Sequence, residues 1–351
     1  MTAFFKDKYA LTALAFTLTI CFLCAAVSLY LPVETCSRAR DLRAAIKMKN
    51  YADTARGLVT GYNYHLLERF AEDRNSQMEI VLGADSEDWL DSLLNGRIDI
   101  VVVPEQDSLP AEGLCRSISI DGISRWITRD SDSGLAKVLD SWLEESLASP
   151  GIEDVREQFL HTYIPHKRAR TGIKYEYLSP YDQIIKANAD SIGWDWRLLA
   201  AVVYQESKFK IDARSRRGAE GLMQMMPRTA SHLELEDAVN PALSIAAGAK
   251  YLKTLEGLYS RVTPFPEERC KYTLAAYNAG QGRIRDCINL ARLRGKDIRY
   301  WDETASVIPE MGDESILAVD TVKLGIFKGF ETQAYIRSVL SVYESFRKIC
   351  P

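Results

Sequence analysis

The first pattern along the chain is an almost unbroken apolar run over residues 11–31, preceded by Lys6 and Lys8 and closed by Pro32. A run of roughly 20 apolar residues can span a bilayer as a helix. It is long for the apolar region of a cleaved signal, and no clear A-x-A site follows it. Ile20 precedes Cys21 and Leu23 precedes Cys24, where lipidation needs a small residue. The positive flank lies on the N-terminal side, which places the rest of the chain outside the cytoplasm. Residues 1–35 therefore read as a cytoplasmic stub and transmembrane signal-anchor, with a cleaved signal as the alternative.

Residues 37–165 alternate between strand and helix patterns. Residues 42–48 offer a first strand, and residues 64–74 carry Leu66, Leu67 and Phe70 on one helical stripe. Residues 78–82 and 98–103 are strand-like, the second buried on both faces. Between them Asp85-Ser86-Glu87-Asp88 caps a helix through Leu94, stopped by Asn95-Gly96. Residues 118–128 supply a further strand and 135–147 a helix. This alternation predicts a parallel sheet with right-handed crossovers.

The stretch from His166 to Gly172 is basic and poorly periodic, so residues 166–178 read as a linker. From residue 179 to 351 the pattern is helical almost throughout, over residues 181–189, 197–209, 244–259, 271–279, 282–291 and 331–346. The fold class is α+β and multidomain: an N-terminal transmembrane helix, a small α/β domain and an all-α domain.

Composition adds limits. With 351 residues, 47% apolar and 26% charged, the chain is a globular one with ample core. Its net charge of -4 gives no sign of a nucleic-acid partner. Seven cysteines do not make a disulfide scaffold at this length. Cys270 and Cys287 lie in neighbouring helical segments; they either bridge, as an oxidising envelope permits, or remain buried thiols. His65, His161, His166 and His232 are scattered, and no Cys or His spacing resembles a metal site, so neither metal nor cofactor is expected.

The chemistry concentrates on one helix. Leu198, Leu199, Val202 and Val203 form its apolar stripe, and Glu206 falls four and three residues after the last two, on that same stripe. A carboxylate there faces the interior near the negative helix end. Desolvation and the helix dipole both favour its neutral form, the state that a general acid needs near neutral pH. A buried Glu satisfied by a hydrogen bond is the plain structural alternative. Further on, Gly218 and Gly221 let backbone approach a ligand closely. Gln224 can donate to and accept from a sugar amide, and Met223, Met225 and Met226 offer an adaptable apolar wall. Glycosidic cleavage usually takes two carboxylates. Asp212, Glu220, Glu234, Glu236 and Asp237 all lie in polar or loop contexts, and none reads as a nucleophile.

Four motifs carry a resemblance to the lysozyme-like soluble lytic transglycosylases. They are Glu206-Ser207 with Phe209, Ala213 and Ser215; Gly218 with Gly221-Leu222-Met223-Gln224-Met225-Met226-Pro227; Tyr277-Asn278-Ala279-Gly280; and Gly329-Phe330-Glu331-Thr332 with Tyr335. Ile211 and Ser244 stand where the family often has proline and asparagine. The resemblance covers about 170 residues and implies a lysozyme-like catalytic domain over residues 179–351, a lyase acting on peptidoglycan without cofactor. It implies Glu206 as the only acid and base, Ser215 and Gln224 as holders of the N-acetyl group, and Met226, Tyr277, Asn278, Glu331 and Tyr335 as residues that shape the cleft. A lysozyme-type hydrolase and a catalytically idle wall-binding protein are the competing readings.

A second resemblance rests on Gly61-Tyr62-Asn63 and on residues 89–103, ending in Asn95-Gly96-Arg97-Ile98-Asp99-Ile100-Val101. These resemble one lobe of the family-3 periplasmic solute-binding proteins. The chain leaves no room for the second lobe, so residues 37–165 read as a docking or spacer domain in preference to a working sensor. The joint layout is similar to the MltF-like group of membrane-bound lytic murein transglycosylases. It implies peptidoglycan strands as a partner in the cell envelope, facing the periplasm; the N-terminal span supplies the membrane contact and argues for the inner membrane, whereas the resemblance allows the outer one.

Overall fold

The computed structural model describes residues 40–48, 56–82, 88–110, 112–160 and 164–351. The apolar run of residues 11–31, Cys36 and the first three residues of the Asp85–Asp88 cap lie outside them. Among the described residues no helix is long and apolar enough to cross a membrane. The protein is a mixed α+β molecule in which a small sheet unit precedes a helical one.

The sheet unit opens with β1 (Leu42–Ile46), α1 (Arg56–Asp73), β2 (Met78–Leu82), α2 (Asp88–Leu94) and β3 (Ile100–Pro104). β1 lies between β2 and β3 and pairs in parallel with both. The sheet is not wholly parallel, however. Residues 118–128, expected as one strand, hold a reversal at Asp121 (φ 55°) and Gly122 (φ 66°). That turn folds β4 (Leu114–Arg116) back on β5 (Ser124–Arg129), and β5 pairs antiparallel with β3, Val102 facing Trp126. The strand order is β2-β1-β3-β5-β4. Strand alternation had concealed a turn whose left-handed residues Asp and Gly tolerate best.

α1 covers one sheet face, with Phe70 edge-on to Trp126 and Trp142 at 6.1 and 5.3 Å. α2 covers the other, seating Trp89 and Leu93 on Ala45, Val101, Val103 and Ile127. α3 (Ser133–Ala148) is capped by Asp132, which accepts from the Leu135 backbone amide, and α4 (Ile152–Phe159) follows.

The segment expected as an irregular linker is instead helix α5 (Pro165–Thr171), with Pro165 in its first turn and Gly172 closing it at φ 72°. Seven residues, three of them Lys or Arg, show no period in sequence. α5 is stabilised by packing on the C-terminal helix, where His166 Nδ1 and Ser345 Oγ lie 2.8 Å apart. After it come α6 (Asp182–Ile192), α7 (Trp196–Ser207), α8 (Pro227–His232), α9 (Pro241–Tyr259), α10 (Pro266–Ala279), α11 (Gln281–Leu293), α12 (Trp301–Ala305), α13 (Ile308–Met311) and α14 (Phe330–Ile349). α14 runs against α5, α7 and α10, and its buried Tyr335, Ile336, Val339 and Phe346 tie them into one core. Cys115, Cys270, Cys287 and Cys350 are free thiols, so Cys270 and Cys287 are buried or half-buried without a bridge.

Candidate active site

α7 starts where Asp195 accepts from the Arg197 amide at 2.9 Å, satisfying one of the donors that a helix start leaves open. Leu199, Ala200, Val202 and Val203 are fully buried, each Val or Leu side chain stabilising by about 1.5–3 kcal/mol. Glu206 continues that stripe and is half-buried at the helix end. The helix stops abruptly: Lys208 (φ 56°) and Phe209 (φ 61°) are consecutive left-handed residues without glycine. Such backbone persists only where packing over-determines it. Phe209 supplies that packing, stacked on Phe346 at 6.2 Å and tilted against Tyr204 at 5.5 Å.

Burial pushes the Glu206 carboxyl up from 4.5 to about 7, against opposing pulls from the Tyr335 hydrogen bond and the Lys208 charge. Tyr335, buried on α14, donates its hydroxyl to Glu206 Oε1 at 2.5 Å. The Tyr335 and Tyr277 phenols are raised well above their usual value by burial and by the neighbouring Glu206 charge, so both remain neutral donors. Glu206, Tyr335 and Tyr277 thus form one coupled group.

The loop of residues 213–226 closes beside it. Gly221 (φ 76°) turns so tightly that a Cβ there would lie 1.7 Å from the Ala238 carbonyl oxygen. The Ser244 hydroxyl accepts from the Met223 amide at 3.4 Å, and Tyr277 donates to the Met223 carbonyl at 2.8 Å. Gln224, itself left-handed at φ 48°, donates Nε2 to the carbonyls of Ala213 (2.9 Å) and Gly221 (3.0 Å). Two carbonyls can be served only by the amide nitrogen, which fixes its orientation. Gln224 is therefore left with Oε1 as an acceptor, where its residue type alone allowed both roles.

The remaining site residues are placed as follows. Asn278 is exposed at the end of α10, its Oδ1 accepting from the Thr332 hydroxyl at 2.9 Å. Ser215 is exposed, with its Oγ accepting from the Ala219 amide at 2.9 Å, inside the loop. Met226 is 41% exposed at the start of α8, and Glu331 is exposed in the first turn of α14. Among the described residues the contacts that join Glu206 to Tyr335 and Tyr277 do not extend to these four. Thr332 and Lys208 were given no role by sequence reasoning. Thr332 lies three residues before Tyr335 on the same face of α14, a legible signal, whereas nothing in a Lys announces a left-handed turn. Glu220, one of the acids weighed as a second carboxylate, is paired with Arg214 at 3.3 Å. Among the described residues no cluster of His, Cys, Asp or Glu could hold a metal ion.

A half-buried carboxyl that burial pushes up to about 7, held by one phenol beside a glycine-braced loop, is equipped for acid-base work. Residues 183–299, which include Glu206, the loop and Tyr277 but not Tyr335, match the Transglycosylase SLT domain. Along 82% of its length the chain is similar to membrane-bound lytic murein transglycosylase F of Desulfosudis oleivorans, 26% identical over 300 residues and covering 65% of that protein. Its namesake from Maricaulis maris is 35% identical over 164 residues, 46% of this chain and 35% of that one. Among solved structures, an inactive mutant of lytic transglycosylase Slt from Pseudomonas aeruginosa shares 26% identity over 47% of this chain and 24% of its own, with a TM-score of 0.34. The chain spans between 35% and 65% of the length of the two curated relatives.

Proposed function

We propose that the protein is a membrane-anchored lytic transglycosylase that cleaves the MurNAc-GlcNAc β-1,4 bond of peptidoglycan. The observation that carries the reading is the Glu206 carboxyl, held protonated to about pH 7 by burial and oriented by Tyr335. Glu206 gives its proton to the glycosidic oxygen as the C1–O bond breaks. Positive charge at C1 of MurNAc is shared with its N-acetyl oxygen. Gln224 Oε1 receives the N-acetyl N–H, and the Ser215 hydroxyl, exposed on the same loop, helps to hold that group. Glu206, now a carboxylate, takes the proton of the sugar's own O6 hydroxyl, and O6 closes onto C1. One bond forms, one breaks and the acid is regenerated, with no water consumed. The product is 1,6-anhydro-MurNAc, which makes the enzyme a lyase of glycoside hydrolase family 23 type with no cofactor.

The single carboxylate favours this over hydrolysis, which places two carboxyl groups about the bond. In this reading Tyr277 braces the loop, Asn278 offers its amide donors to the glycan, and Met226, Glu331 and the lysozyme-like helical walls line the groove. Residues 11–31 anchor the chain with the catalytic part in the periplasm, and residues 37–165 form the solute-binding-like unit. The test is mass spectrometry of glycan ends after digestion. Anhydro ends, lighter by one water than hydrolytic ends and absent with Glu206→Gln, are expected. Reducing ends carrying that water would make the protein a hydrolase, and cleavage by Glu206→Gln would remove the acid altogether.

A further inference from the structure

The sheet unit and the helical unit share one continuous core, and their contact falls beside the catalytic helix. α1 is the sheet unit's side of it. Two glycines of α1, four residues apart and so on one face, bring its backbone against the helical unit. A Cβ on Gly61 would lie 2.8 Å from the Tyr181 hydroxyl and 3.2 Å from Pro180. A Cβ on Gly57 would lie 2.3 Å from Asp212 Oδ1 and 3.2 Å from Lys210 Cβ. Across the same crevice Gly57, Leu58 and Gly61 face Lys208 and Phe209, the left-handed pair that ends α7 directly after Glu206. Tyr64 adds a tilted contact to Tyr181 at 5.7 Å, and His65 an edge contact to Tyr177 at 5.0 Å.

Two polar groups beside Gly61, Tyr62 and Asn63, are meanwhile spent inward. Tyr62 donates to Asp121 at 2.7 Å. Asn63 donates to Val59 and Ser124 and accepts from Trp126 Nε1 at 2.9 Å, so its amide is saturated inside the core. What this half of α1 presents to the helical unit is close-packing backbone at Gly57 and Gly61, whereas in its last turns Glu72 accepts from Gln183 of the helical unit.

We propose that α1 is a docking face for the helical unit and positions Glu206 by bracing the turn of residues 207–212, so that the sheet unit acts as a fixed buttress for the acid. The inference rests on Glu206 being the proton donor. Glycine in a helix interior is unfavourable relative to alanine, so Gly61 stands against local propensity. The close approach to Tyr181 accounts for a glycine there. Tyr181 Oη is buried without a hydrogen-bond partner among the described residues, and its ring is set by packing.

The test uses the full chain with Gly61→Ala, Gly61→Leu and the double variant Gly61→Ala/Tyr181→Phe. Removing the hydroxyl opens the space that the new Cβ enters, leaving its next neighbour on that ring at 3.6 Å. Two readouts are taken: amide hydrogen exchange over residues 207–212, and kcat, KM and the alkaline limb of kcat/KM on peptidoglycan. Gly61→Ala is expected to speed exchange in the turn about tenfold, lower kcat by a similar factor with KM unchanged, and move the alkaline limb; Tyr181→Phe should restore all three. Faster exchange with unchanged kcat and limb overturns the positioning role, and unchanged exchange even in Gly61→Leu overturns the docking. If Gly61→Leu fails to fold, the alanine pair decides alone. Activity surviving in Glu206→Gln would instead sink the assignment of the acid, and the exchange readout does not depend on that assignment.

Discussion

Tyr335→Phe is the sharpest perturbation of the site, because it deletes one hydroxyl and leaves the ring's packing on α14 intact. The Tyr335 hydrogen bond, 2.5 Å long, stabilises the ionised form of Glu206 and so opposes the burial that raises its pKa to about 7. A hydrogen bond to a charged group is worth about 1.5–3 kcal/mol, and a tenfold change in ionisation corresponds to about 1.4 kcal/mol. Without it the carboxyl stays protonated through roughly one to two further pH units. Since the reaction needs Glu206 protonated, activity falls as pH rises through its pKa. The variant's alkaline limb of kcat/KM should therefore move up from about pH 7. Its plateau should drop by about tenfold or more, since the proton donor loses its orientation. The assay is the pH dependence of anhydro-product release over pH 5–10. A limb that stays in place or moves toward acid refutes the reasoning.

Glu206→Gln should abolish cleavage and stabilise the fold at pH 8. The gap between 4.5 and about 7 is an ionisation cost of at most about 3 kcal/mol, present in full above the folded pKa and absent below 4.5. Thermal melts at pH 8 and pH 4 report it, with equal Tm values of wild type and variant at pH 8 counting against it. Glu68 on α1 is raised to about 8 by burial and by the charges of Glu72 and Asp182, with Tyr64 donating to it in opposition. Arg69 is the nearby cation on α1, and Asp182, itself raised to about 6 by burial, is the acid across the interface. Wild-type stability should thus decline as pH climbs from about 5 toward 8, and Glu68→Gln should flatten that decline in melts across the range. Gly221→Ala combines a left-handed φ with a Cβ 1.7 Å from Ala238 O, so it should cost more than about 3 kcal/mol in denaturant unfolding. A loss under 1 kcal/mol would show that the loop can relax.

Much of this was legible because period and chemistry coincide. Val202, Val203 and Glu206 share a stripe, and their spacing alone turned the carboxyl inward. β2 fell on residues 78–82 as alternation predicts, and β1 and β3 within two residues of expectation. Other features are tertiary. Tyr335 meets Glu206 across 129 residues of chain, and periodicity has no term for that; only family resemblance pointed to it. α5 forms because α14 receives it, and the hairpin at Asp121-Gly122 sits in a stretch that alternates well enough to pass for one strand. Gln224 lost its donors to Ala213 and Gly221 because two loop carbonyls had to be satisfied. The side chain's inventory fixes what it can do, and the local backbone decides what remains to offer.

The most direct measurement is titration of the Glu206 side-chain carboxyl by carbon-13 NMR in the intact protein, identified by its loss in Glu206→Gln. The midpoint should fall near pH 7. Ionisation in the ordinary glutamate range, near 4.5, would leave no proton for the glycosidic oxygen at neutral pH and would contradict the mechanism at its first step.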